Sequence, residues 1–187
     1  LTKLTDREGP DGSPVFDRDS GTLYWSGYDD RRQGHQQSEI HSSPIGGAAI
    51  RVLTGGVDRI ISDLHVDGGR LYAALSSEGV KNLVQLSADG EPAGLRYPLH
   101  GMGSGRPYSG GEFDVRGGTV AWVGGDPTWP GELHVQRGGD VRQVTDVNSD
   151  LRETVQLGRV EELWVESAAD GRRVQCWTIT PPAREAG

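Results

Sequence analysis

The side chains that could do chemistry in this chain are spaced badly for it. An acyl-transfer serine sits at a tight Gly-x-Ser-x-Gly turn that exposes its hydroxyl. No serine here meets that pattern around the two best-placed candidates: Ser104 has Met102, and Ser109 has Pro107, where the first glycine belongs. A chain without nucleophile, base or oxyanion donors has no means of acyl transfer, so no catalytic residue is assigned. The five histidines, His35, His41, His65, His100 and His134, invite a metal reading. None stands at ligand spacing from another histidine or from carboxylates, and neither a metal nor a cofactor is assigned. Asp17-Arg-Asp-Ser-Gly21 opens like a calcium loop but lacks the later ligands and the distal glutamate; it reads as a hairpin turn in which Asp and Gly serve the backbone. Gly101-Met-Gly-Ser-Gly105 has the rhythm of a phosphate loop, yet Arg106 replaces the last glycine and Pro107 follows in place of a helix. A connection between repeats is the expectation there.

The elements that would position any of these residues are written three times. Phe113-Asp-Val-Arg-Gly-Gly-Thr-Val-Ala-Trp122 alternates apolar and polar residues on both sides of a glycine turn. Leu64 and Leu71 flank Gly68-Gly69, and Phe16 and Leu23 flank Asp19-Ser20-Gly21, with the same spacing as Phe113 and Val120. Each hairpin is followed by a third strand signal, at 38–41, 82–86 and 131–135, and by a fourth at 50–54, 95–99 and 141–145. Four strands in a repeat of about 40 to 50 residues predict an all-β fold, a β-propeller of radially arranged sheets. His41 and His134, and likewise Trp25 and Trp122, fall at equivalent positions, which predicts packing roles for them. Trp129, between prolines, lies outside that equivalence and is a candidate contact to a partner domain.

The expected organisation is a partial propeller over 1–150, with three blades at about 7–55, 56–102 and 103–150, then a linker and hairpin over 151–187. Thr2-Lys-Leu-Thr-Asp6 resembles Arg142-Gln-Val-Thr-Asp146, so the chain is expected to open in the last strand of an earlier blade. Three blades fall short of the usual range of about four to eight, which predicts a fragment of something larger. With 34% hydrophobic residues, 29 glycines and ten prolines, the composition suits short strands joined by turns. A net charge of -8 argues against a nucleic-acid surface, which needs a basic stripe. No apolar run is long enough for a membrane helix. The one cysteine, Cys176, is expected to be a buried thiol, compatible with a cytoplasmic location. Residues 28–37 form a long polar excursion whose Arg31 and Arg32 either sit in a solvated loop or face a channel or partner domain.

The end of the chain breaks the period and carries a resemblance. Val144-Thr-Asp-Val-Asn148, Glu161-Glu-Leu-Trp164, Ser167 with Ala168-Ala-Asp-Gly171, and Cys176-Trp-Thr-Ile-Thr-Pro-Pro182 resemble, in that order, a junction found in serine peptidases of the prolyl oligopeptidase family. That junction joins propeller to catalytic domain. Asp126-Pro-Thr-Trp-Pro-Gly-Glu-Leu133 is similar to a stretch of the acylaminoacyl-peptidase branch. The resemblance implies a non-catalytic gating propeller that restricts peptide access to an α/β-hydrolase domain carrying the triad. It implies as partners that domain, the remaining blades and short peptides, with neither nucleic acid nor membrane. Two alternatives stand beside it: a stand-alone binding propeller holding a ligand or protein, and a scaffold that self-associates through exposed blade edges.

Overall fold

The computed structural model describes residues 3–47, 49–99, 111–126 and 129–182, apart from the side chain of Arg152. It contains three four-stranded antiparallel sheets and one two-stranded hairpin. The first sheet is β1 (Asp11–Asp17), β2 (Thr22–Gly27), β3 (Glu39–Pro44) and β4 (Arg51–Val52). The second is β5 (Ile60–Asp67), β6 (Arg70–Ser77), β7 (Val80–Leu86) and β8 (Pro92–Pro98), and the third is β9 (Phe113–Arg116), β10 (Thr119–Asp126), β11 (Trp129–Arg137) and β12 (Asp140–Gln143). A short helix, α1 (Ser149–Thr154), leads to the hairpin of β13 (Arg159–Glu166) and β14 (Arg173–Thr180). Within each four-stranded sheet the strands lie in chain order, and the first strands of neighbouring sheets approach one another, β1 to β5 and β5 to β9. This is the up-and-down blade arrangement of a propeller, with the first strand innermost.

Register corrects one equivalence. Val66 pairs with Leu71 and Val115 with Val120 across two-glycine turns, in which Gly68, Gly69, Gly117 and Gly118 all take the positive φ that such turns demand. In the first sheet Phe16 pairs directly with Leu23. Its counterparts are therefore Val66 and Val115, not Leu64 and Phe113. The cause is a longer turn: Asp17 Oδ1 accepts from the Asp19 N–H and Oδ2 from the Ser20 hydroxyl, so the chain closes over 18–21. That turn is what Asp17-Arg-Asp-Ser-Gly21 builds.

The core lies between sheets. The second sheet is buried on both faces, and its residues alternate between two clusters as a strand's period of two requires. Leu71, Ala73, Leu75, Val84 and Leu86 pack with Ile40, Ile61 and Leu64 towards the first sheet. Tyr72, Ala74 and Leu83 pack with Leu99, Val115, Val120 and Trp122 towards the third. Trp122 stacks on Tyr97 of the second sheet, centroids 4.3 Å apart, as inter-blade packing predicts. Trp25 does not mirror it across a blade interface. It lies beside His41, and its indole N–H donates to Asp11.

Residues 3–6 form no strand. One expectation near the other end fails for a physical reason. Cys176 is half-buried rather than buried, since the hairpin that holds it has an uncovered face.

Candidate functional site

The connections β2–β3 and β6–β7 leave from equivalent ends of their sheets, and the terminal hairpin sits at that end. The β6–β7 turn is Glu78-Gly79, both at positive φ. Trp177 lies so close over Gly79 that a Cβ there would stand 2.3 Å from its ring. Gln175 Nε2 donates to the Glu78 carbonyl at 3.1 Å and to Glu162 Oε1 at 3.0 Å, and Glu162 Oε1 also accepts from the Trp164 indole N–H at 2.8 Å. In the hairpin register Glu162 faces Trp177 and Trp164 faces Gln175, so these four share the seated face. Leu163, Val165, Val174 and Cys176 occupy the opposite face, Leu163 and Cys176 half-buried and Val165 and Val174 exposed. Trp177 interrupts the apolar alternation of β14 because it is turned towards Gly79. Arg173 lies over the Trp164 ring, 4.8 Å from its centroid.

A buried carboxylate knots the third sheet to the chain that leaves it. Glu132 Oε2 accepts from the Thr145 hydroxyl at 2.5 Å and the Val147 N–H at 3.1 Å. Its Oε1 accepts from the Asn148 N–H at 3.0 Å and Asn148 Nδ2 at 2.9 Å. These bonds, the Thr145 hydroxyl first among them, outweigh burial and hold the Glu132 carboxyl down to about 2. Thr145 Oγ1 in turn accepts from the Leu133 N–H. Two stretches quoted for the resemblance, Glu132-Leu133 and Thr145 to Asn148, are thus one structure.

The first sheet repeats half of this knot. Trp25 pairs with His41 as Trp122 pairs with His134, so Glu39 corresponds to Glu132. Ile40 N–H donates to Thr54 Oγ1 at 2.8 Å as Leu133 N–H does to Thr145, and Leu53 N–H meets the Ile40 carbonyl as Val144 N–H meets that of Leu133. The chain then diverges: Gly55-Gly56 turn back, and the Val57 N–H is taken by the Thr54 carbonyl at 3.0 Å. Among the described residues Glu39 receives no hydrogen bond or ion pair.

That carboxylate lines a groove of about 430 Å³ between the β2–β3 connection and 55–58. Tyr28, Asp29, Arg31, His35 and Gln36 form one wall, and Gly55, Gly56 and Asp58 the other. The loop is braced from within. Asp30 accepts from the Arg32 N–H and from Gln36 Nε2, bonds that lower its carboxyl below the usual range, Gln36 contributing most. Arg7 anchors the loop's start through Asp11 and Asp29.

The other singled-out residues are scattered. His41 and His134 stack on their tryptophans, 5.6 and 5.5 Å between centroids, and His65 pairs with Asp114 at 3.2 Å between the first strands of neighbouring sheets. His35 lies in the groove. Among the described residues no three of His, Cys, Asp or Glu gather where a metal ion would bind. Trp129 begins β11, half-buried. His100, Ser104, Arg106, Ser109 and the stretch Gly101 to Gly105 lie outside the described residues. No described helix is long and apolar enough to cross a membrane.

No protein-family profile and no curated protein matches the chain. Solved structures do. Acylaminoacyl peptidase from Pyrococcus horikoshii superposes with a TM-score of 0.68 at 20% identity, over 88% of this chain and 24% of that one. A puromycin-hydrolysing peptidase of Mycobacterium tuberculosis gives 0.56 at 17% identity, over 95% of this chain and 28% of its own. The β-propeller domain of the trilobed protease from Pyrococcus furiosus gives 0.50 at 19% identity, over 72% and 38%. The chain spans about a quarter of the length of the first two. At these identities the likeness is one of fold, and the fold is the β-propeller, here three four-stranded sheets followed by a hairpin.

Proposed function

We propose that this chain is part of the gating propeller of a serine peptidase of the prolyl oligopeptidase family, acylaminoacyl-peptidase-like, and contributes no catalytic residue. In this reading residues 1–150 are propeller, 151–187 lead into an α/β-hydrolase domain, and the protein works in the cytoplasm on short peptides. The observation that carries it is the terminal hairpin, with Trp177 against Gly79 and Leu163, Val165, Val174 and Cys176 on the opposite face. One face touches the β6–β7 turn, and both carry exposed apolar side chains, Trp164, Trp177 and Ile179 on one and Val165 and Val174 on the other, of the kind that a following domain covers. A lid held at such a seat selects substrates by size and excludes bulk water from the chemistry.

The test belongs in the longer protein that carries this chain. Gly79→Val places a β-branched side chain at positive φ, strained by roughly 1–2 kcal/mol, and drives Trp177 off the turn. The expected result is a rise in kcat/KM for long peptides relative to a tripeptide. An unchanged ratio overturns gating. A serine-directed fluorophosphonate should label that protein outside residues 1–187; a label within them overturns the non-catalytic assignment.

A further inference from the structure

We draw no further inference here: the strongest candidate, the exposed apolar face of the third sheet at Leu133 and Val144, carries nothing because nothing in the structure shows what covers it.

Discussion

Glu132 is the residue on which the chain's exit from the third sheet depends. Its carboxyl is held at about 2 against an ordinary value of 4.5, so the folded state binds its proton more weakly than the unfolded state does. A depressed carboxylate stabilises fully above its unfolded value, and that contribution is lost as pH falls through 4.5 towards 2. Glu132→Gln should therefore lower the thermal midpoint at pH 7, and the gap to the parent should close as pH drops through that window. A gap independent of pH would mean that packing, not charge, is what the substitution removes. Both halves of this knot were legible in the sequence, as Glu132-Leu133 and as Thr145 to Asn148, but not that one bonds the other. Nothing in a linear pattern says that a glutamate will find the two N–H groups of a chain leaving a strand it does not belong to. The free state of Glu39 was hidden for the same reason: it becomes visible only once cross-strand pairing aligns it with Glu132.

At the scale of elements, neighbouring blades are tied by their innermost hairpins. Asp67, the last residue of β5, accepts from the Gly117 and Gly118 N–H groups at 2.9 and 2.8 Å, which lowers its carboxyl, the Gly118 bond contributing most. Asp67→Ala should cost about 1 kcal/mol, a value reduced for its partial exposure, and speed amide exchange at Gly117 and Gly118. Exchange unchanged at both amides would show that the turn is rigid without the carboxylate. The glycine turns themselves were legible, because two consecutive positive φ values leave few residue choices. The third and fourth strands fell where their alternating apolar residues put them. Phe16 misled because Asp17 builds a longer turn that preserves the spacing while moving the register by one pair. α1 carries too few residues for periodicity to reveal it, and it has no side-chain cap. The hairpin as an element was legible from its alternation, Asp-Gly turn and prolines. Its seat was not, since Gln175 and Glu78 lie 97 residues apart.

Across the whole molecule, one repeat position reports whether a blade has a neighbour. Ile40 is fully buried because the second sheet covers it, whereas its counterpart Leu133 is 37% exposed on the third sheet, over which no described sheet lies. Val144, counterpart of the half-buried Leu53, is likewise exposed. The same chemistry at the same register should thus carry different energies. Ile40→Ala should cost roughly 2–5 kcal/mol, a transfer term plus a cavity, and Leu133→Ala within about 0.5 kcal/mol of zero in the chain by itself. Urea denaturation monitored by tryptophan fluorescence measures both. Equal costs would mean that sheet three is covered in solution, and the cover is then a second copy or a further blade. Light scattering separates these. A mass above 20.1 kDa that rises with concentration and falls back with Leu133→Asp identifies self-association through this face. In a longer protein with a fourth sheet, Leu133→Ala should rise towards the cost at Ile40, because the exposed face of blade three is then the interface that blade four buries.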